Sequence, residues 1–148
     1  MSHRVLYTGG TFDLLHYGHL NFLKMCKQIA DEVVVSLNTD SFVGQYKCKT
    51  VLNYEERRLS LLHCQYVDRV VENSFCADSK PTILDVDPDI IAIGDDWASK
   101  DYYSQMGFTQ EWLNSNEIVL VYIPYTKDIS SSDIKNRIIK DGKAKCCN

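Results

Sequence analysis

His16, Gly18 and His19 form an H-x-G-H tetrapeptide within Thr8-Gly9-Gly10-Thr11-Phe12-Asp13-Leu14-Leu15-His16-Tyr17-Gly18-His19-Leu20. Imidazoles both donate and accept hydrogen bonds near neutral pH, and two of them three positions apart on a helix can meet one ligand. What they serve depends on where the chain places them. Val5-Leu6-Tyr7 reads as a short strand, Gly9–Gly10 as a chain-bending pair, and Leu20, Leu23 and Met25 open an apolar helix stripe. The histidines therefore fall where a first strand hands over to a first helix. The first amide N–H groups of a helix have no carbonyl partners and its dipole is positive there, so such an end attracts anions, phosphate above all. Gly18 would remove a side chain that blocks close approach of a phosphate. The positive helix end is expected to lower the pKa values of both histidines and keep them as neutral donors.

A second signal of the same kind lies near the other end of the chain. Ser130, Ser131 and Ser132 precede Asp133-Ile134-Lys135-Asn136-Arg137-Ile138-Ile139, which reads as a helix. Alone, this is one capping serine and two loop serines. Beside a histidine-bearing helix start on a neighbouring strand, it becomes a second helix N-terminus facing the same polyphosphate. The Gly-x-x-x-x-Gly-Lys-Ser/Thr loop is absent, which excludes a P-loop NTPase.

The elements that would hold these ends alternate along the chain. A helix is expected near Gly18 to Ile29, a buried strand over Glu32 to Leu37, a polar connection over 39–53, and a helix from Tyr54 behind Asn53 as N-cap. Val67 to Val71 reads as a third strand, 79–86 as helix, and Ile90 to Ile93 as a fourth strand ending at Gly94. Helix is expected within 101–114, a fifth strand over Ile118 to Ile123, and a closing helix from Ser131 to Lys140. Strand and helix in regular alternation predict one α/β domain, a Rossmann-like, doubly wound five-stranded parallel sheet, with 141–148 as a frayed tail. In such sheets ligands bind beyond the carboxyl ends of the strands where the strand order reverses. The histidine stretch, Asn38-Thr39-Asp40, Gly94-Asp95-Asp96-Trp97 and the Tyr125 to Ser132 loop all follow strands, so one crevice could collect them.

Composition narrows the function classes. The chain has 148 residues, 45% of them hydrophobic, enough for one domain with a full core. A net charge of −4, with no stripe of Lys or Arg, argues against a nucleic-acid partner. No apolar run approaches the length of a membrane span, and Met1-Ser2-His3-Arg4 leads into the first strand without a signal-peptide region, so a cytosolic protein is expected. The six cysteines show no C-x-x-C spacing; Cys26 and Cys64 read as core residues, and the C-terminus carries no C-a-a-X lipidation signal.

With Gly10-Thr11-Phe12-Asp13-Leu14-Leu15-His16-Tyr17-Gly18-His19, the Tyr54 to Arg57 helix start, Tyr66-Val67-Asp68, Gly94-Asp95-Asp96-Trp97 and Ile129-Ser130-Ser131-Ser132 in view, the chain resembles the HxGH nucleotidyltransferases. Within that superfamily it is most similar to the cytidylyltransferase family, in its glycerol-3-phosphate branch, over nearly its whole length. The G-D-D-W element carries the narrower likeness. The resemblance implies transfer of CMP from CTP to a small phosphorylated alcohol, with Mg²⁺, release of pyrophosphate and no protein nucleophile. It implies His16 and His19 as donors to phosphate oxygens, and Thr8, Gly9, Gly10, Thr11, Phe12, Asp13, Gly18, Gly94, Asp95, Asp96, Trp97, Tyr125, Thr126, Ile129, Ser130, Ser131 and Ser132 as nucleotide-binding. It implies Lys47 and Lys49 as catalytic lysines, unless they are solvated loop charges, and Arg57 as a bidentate phosphate ligand. Asp13 and Asp95 are candidates to hold Mg²⁺ or to orient the site, with capping as the plainer alternative. Trp97 lines a pocket or simply packs. A homodimer with contacts near the histidine helix and the third strand is also implied.

Two departures stand against glycerol 3-phosphate as acceptor. Where the family has Arg-Thr-Glu-Gly-Ile-Ser-Thr this chain has Tyr125-Thr126-Lys127-Asp128-Ile129-Ser130-Ser131, and Gln65 replaces an arginine. Adenylyl transfer from ATP, and a nucleotide-binding regulatory domain without turnover, therefore remain as alternatives.

Overall fold

Val33, Val34, Val35 and Leu37 are consecutive or near-consecutive apolar residues and all are fully buried, which requires that both faces of their strand be covered. The computed structural model, which describes residues 2–45, 49–73, 78–95 and 102–143, shows how. Strands β1 (Val5–Gly10), β2 (Glu32–Asn38), β3 (Arg69–Asn73), β4 (Ile90–Gly94) and β5 (Val119–Ile123) form one sheet in the order β3-β2-β1-β4-β5. Every neighbouring pair is parallel. The helices are α1 (Tyr17–Ile29), α2 (Asp40–Gly44), α3 (Tyr54–Leu62), α4 (Lys80–Val86), α5 (Tyr102–Met106), α6 (Gln110–Ser115) and α7 (Ser131–Lys143).

Side chains of one strand alternate between two cores. On one face Leu6, Val33, Val35, Leu37, Ala92 and Ile123 meet Leu23 and Cys26 of α1 and Leu61 of α3. On the other, Tyr7, Val34, Ile91 and Ile93 meet Ile83 and Val86 of α4 and Leu113 of α6. Cys26 and Cys64 are free and buried, as small core residues. The chain winds outward from β1 through β2 to β3, then returns across β1 to β4 and β5. The strand order thus reverses between β1 and β4, the point at which sheets of this kind open a crevice. No helix among the described residues is long and apolar enough to cross a membrane.

The structure corrects several local expectations. Gly9 and Gly10 do not bend the chain: both lie within β1, paired with Ser36 and Leu37 of β2. The turn is made by Phe12 and Leu14, whose φ values of 50° and 53° place non-glycine residues in the left-handed region. Gly10 is needed for a different reason, because a Cβ there would come within 2.8 Å of the Phe12 ring. Strand β3 starts at Arg69, two residues after Val67, since Asp68 is still turning: its N–H donates to the Val33 carbonyl at 2.9 Å and its carboxylate accepts from the Val33 N–H at 2.7 Å. The polar connection contains the short helix α2, capped by Thr39, whose hydroxyl accepts from the Phe42 N–H. Segment 102–115 is two helices separated at Gly107, which has φ 74°.

Ile91 is fully buried at the centre of the sheet, whereas Ile138 on α7 is 59% exposed. Ile91→Ala should cost about 2–5 kcal/mol of unfolding free energy and Ile138→Ala no more than about 0.5 kcal/mol, measured by urea denaturation. Equal losses would contradict the core described here.

Candidate active site

The two helix N-termini singled out by the sequence meet at one cavity. Its volume is about 390 Å³, and it is lined by Gly10, Thr11, Phe12 and Asp13 from the loop after β1, His19 of α1, Val43 of α2, Thr50, and Ser131, Ser132 and Lys135 of α7. Contacts across it fix the arrangement. The Ser131 hydroxyl donates to the Asp13 carbonyl, and Lys135 Nζ lies 3.1 Å from Asp13 Oδ2. Buried Ile129, just before α7, packs so close to Gly18 that a Cβ on Gly18 would come within 3.1 Å of it, and within 2.8 Å of the His16 ring. Gly18 is thus required by protein packing, where phosphate approach was expected to be the reason.

The histidines are held by the helix they introduce. His16 is the N-cap of α1: its Nδ1 accepts from the Gly18 N–H at 3.1 Å, and His19 Nδ1 accepts from the His16 N–H at 3.2 Å. This reciprocal cap satisfies two otherwise orphaned amides. It also fixes chemistry, because an Nδ1 that accepts must carry no proton, so each neutral ring is the Nε2–H tautomer. The rings stack with centroids 3.8 Å apart. Burial lowers the His16 pKa below the ordinary imidazole value. The lowering was expected from the helix end; burial is the cause seen in the structure. His19 lines the cavity, and His16 lies behind it as its stacking partner.

The three serines divide their work. Ser130 accepts from the Asp133 N–H at 3.0 Å and donates to the Asp133 carboxylate, so it caps α7. Ser131 ties α7 to Asp13, and Ser132 lines the cavity.

Asp13 and Arg57 take roles unlike those expected. Asp13 is 5% exposed, and its carboxylate accepts from the N–H groups of Val51 at 2.8 Å and Leu52 at 3.0 Å as well as meeting Lys135. Burial pushes its pKa up, but the two backbone donors and the ammonium outweigh this and hold it below the usual carboxylate value. Asp13 is a clip between loops, not a metal ligand. Arg57 is fully buried, and its guanidinium donates to the carbonyls of Leu52, Thr11 and Asn38 and to Asp40 at 2.7 Å. A buried guanidinium must be paired, and this one is spent on the protein, so it braces the cavity wall and does not fork a phosphate. Asp95 accepts from the Tyr125 N–H at 2.8 Å, joining the loops after β4 and β5. No group of three or more His, Cys, Asp or Glu among the described residues could hold a metal ion.

The remaining predicted residues scatter around this centre. Thr8 is buried within β1, and Gly9 and Gly94 are strand residues outside the cavity lining. Tyr125 is half-exposed with its hydroxyl 3.3 Å from the Ile129 carbonyl, and Thr126 accepts from Asn21 of α1. Lys49 is exposed and does not line the cavity. Lys47, Asp96 and Trp97 lie outside the described residues. Sequence reasoning placed Asp40 at the crevice and missed Val43, Thr50 and Lys135. Only Lys135 had a local signal, its position one helical turn after Ser131.

Comparison with known proteins agrees with this geometry. A family model described as cytidylyltransferase-like matches residues 7–137. The glycerol-3-phosphate cytidylyltransferase of Bacillus subtilis is 37% identical over 88% of this chain and 94% of its own length. An FAD synthase of Thermococcus kodakarensis is 33% identical over 93% of this chain and 92% of its own length. Among solved structures, the lipopolysaccharide core biosynthesis protein of Thermoplasma volcanium superposes with a TM-score of 0.69 at 26% identity, over 86% of this chain and all of that one. The chain belongs to the cytidylyltransferase-like family and is an enzyme of the nucleotidyltransferase kind.

Proposed function

We propose that this enzyme transfers CMP from CTP to a small phosphorylated alcohol of the glycerol 3-phosphate kind, releasing pyrophosphate and forming a CDP-activated alcohol. The observation that carries the reading is the convergence of the α1 and α7 N-termini on one cavity, with His19 on one side and Ser131 and Ser132 on the other. Similarity to glycerol-3-phosphate cytidylyltransferase over nearly that protein's full length supports CTP and the acceptor class. The acceptor phosphate is already anionic near pH 7, so one of its oxygens attacks the α-phosphorus while the bond to pyrophosphate breaks in line. Positioning and charge stabilisation are then what the protein must supply. On this reading the Nε2–H of His19, oriented by the cap and by stacking on His16, donates to a phosphate oxygen, and the open amides at the start of α7 with the Ser132 hydroxyl take the other phosphates.

Asp13 does not fit a resident metal site, because both of its oxygens serve backbone N–H groups and one also meets Lys135, and Asp95 has one oxygen spent on the Tyr125 N–H. Mg²⁺ enters this proposal only as the counter-ion of the triphosphate. A cytosolic homodimer is part of the same reading: Tyr17 and Leu20 of α1 and Leu59 and Leu62 of α3 are exposed apolar residues, and β3 is an open sheet edge. Sedimentation equilibrium should give twice the chain mass; a monomer at micromolar concentration would remove that part. A second reading, adenylyl transfer from ATP, is favoured by the FAD synthase relatives.

Pyrophosphate release measured with CTP and with ATP, against a panel of phosphomonoesters, decides between them. Turnover is expected with CTP and a glycerol 3-phosphate-like acceptor. Turnover with ATP alone selects the second reading, and nucleotide binding without release in every pairing rejects both. His19→Ala should lower kcat by about 10²–10³-fold. His16→Asn keeps a side-chain acceptor at the cap, so it should fold with near-normal stability yet lose turnover, whereas His16→Ala should lose turnover and about 1 kcal/mol. Retained turnover in both His19→Ala and His16→Asn would reject these assignments.

The capped tautomer and the burial of His16 are measurable without substrate. Nitrogen-15 imidazole spectra should show His16 protonated at Nε2, with a midpoint below 6.5. Because the folded pKa is depressed, the unfolded chain takes the proton first. The contribution of His16 to stability is therefore complete above pH 6.5 and is lost as pH falls toward the folded midpoint. A midpoint above 6.5 would contradict the buried, capped ring.

A further inference from the structure

Helix α7 begins against the domain and ends away from it. Ser131, Ile134 and Lys135, near its start, are half-buried, whereas every residue from Asn136 to Gly142 is exposed. Ile138 stands one helical turn beyond Ile134 on the same side, so it would continue the covered side of α7 if the domain reached that far. It does not: Ile138 is 59% exposed and its neighbour Ile139 57%, and neither belongs to a core. The charge around this apolar pair has one sign. Residues 134–148 include Lys135, Arg137, Lys140, Lys143 and Lys145 against the single acid Asp141, in a chain whose net charge is −4. Lys135 is turned toward Asp13, but Arg137 and Lys140 are exposed. Successive helical residues turn by about 100°, so these two cations fall on the face opposite the isoleucines. A helix with branched aliphatic residues on one face and cations on the other suits an interface that is apolar within and anionic at its rim. A folded partner, including a second copy of this chain, fits less well. Two isoleucine side chains offer far less than the roughly 800 Å² per partner of a stable protein interface. A lipid surface makes no such demand, because it moulds to a convex side chain, and a small apolar insertion joined to a few cations gives reversible binding.

We propose that the outer half of α7 is a reversible docking element for an anionic lipid surface, with Ile138 and Ile139 entering the acyl boundary and Arg137 and Lys140 drawn to the headgroups. The N-terminus of the same helix, about 10 Å along its axis from Ile138, opens on the cavity, so docking brings the cavity close to the lipid. Nothing in this docking depends on which nucleotide the enzyme uses. The full chain is sedimented with vesicles of phosphatidylcholine alone and with vesicles of phosphatidylcholine mixed with phosphatidylglycerol. The wild type should bind the mixed vesicles, bind the neutral ones at least about tenfold less, and come off as salt is raised. Replacing both isoleucines, Ile138→Asp with Ile139→Asp, should lower the partition coefficient at least about tenfold, and so should Arg137→Gln with Lys140→Gln. All four side chains are exposed, so both variants should keep the wild-type melting temperature. Should either variant unfold, the lipid and salt series on the wild type still decides. Equal binding to both kinds of vesicle overturns the proposal, as does binding that survives the loss of both isoleucines. An isoleucine variant whose mass at sedimentation equilibrium falls below that of the wild type assigns the stripe to a second copy and overturns it too. A wild type that binds polyglutamate but not the mixed vesicles replaces the lipid with an acidic polypeptide.

Discussion

The carboxylate of Asp13 is the point on which the site depends. It lies between Phe12 and Leu14, two residues held with positive φ, an arrangement that costs energy unless the surroundings over-determine it. They do: the carboxylate is anchored by the amides of Val51 and Leu52 and by Lys135, and the carbonyl of the same residue by Ser131. One side chain thus ties the loop after β1 to the segment before α3 and to the start of α7. These segments are more than thirty residues apart on one side and more than a hundred on the other, so nothing local would bring them together. That clip, with the packing of Ile129 on Gly18 and the Asn21–Thr126 hydrogen bond, holds the N-termini of α1 and α7 on one cavity.

Arg57 performs the complementary task on the floor of the crevice. Its guanidinium gathers carbonyls from Thr11 after β1, Asn38 at the end of β2 and Leu52, with Asp40 as the counter-charge. Buried ion pairs seldom add much net stability, because desolvation offsets attraction. What they add is uniqueness, since a guanidinium with no other place to go admits one arrangement of its acceptors. The network continues through Asn38, whose amide reaches Thr11 and whose carbonyl oxygen accepts from Asn73 of β3. Three strand ends are thereby fixed relative to the cavity before any ligand arrives, which is the condition for electrostatic stabilisation without reorganisation.

Sequence carried the fold well and the site unevenly, for physical reasons. Strand β2 was legible because Val33, Val34, Val35 and Leu37 leave no polar face, and α3 because Asn53 and Glu56 form a capping box that a local pattern can announce. His16, His19 and Ser130–Ser132 were legible because capping is a short-range interaction. Asp13 and Arg57 were visible as residues but not as roles: a carboxylate and a guanidinium look like a metal ligand and a phosphate ligand until their partners are known, and all of those partners except Leu52 beside Arg57 lie at least 17 residues away. Gly9–Gly10 misled because a glycine pair signals a bend only when φ is positive, and here the second glycine makes room for the Phe12 ring.

The chain carries a net charge of −4, which at first opposes a site for a polyanion. The conflict dissolves on the scale of the cavity. At physiological ionic strength charges are screened over about 8 Å, so acidic residues elsewhere on the surface contribute little inside the cleft. Within it the local charges are few and arranged: Asp13 is neutralised by the donors it holds, Lys135 faces inward, and two helix N-termini add positive potential without any ionisable group. An anion is thus favoured by oriented dipoles and one tethered ammonium. On the proposed reading, an imidazole that donates a hydrogen bond while neutral adds no charge for a leaving pyrophosphate to escape.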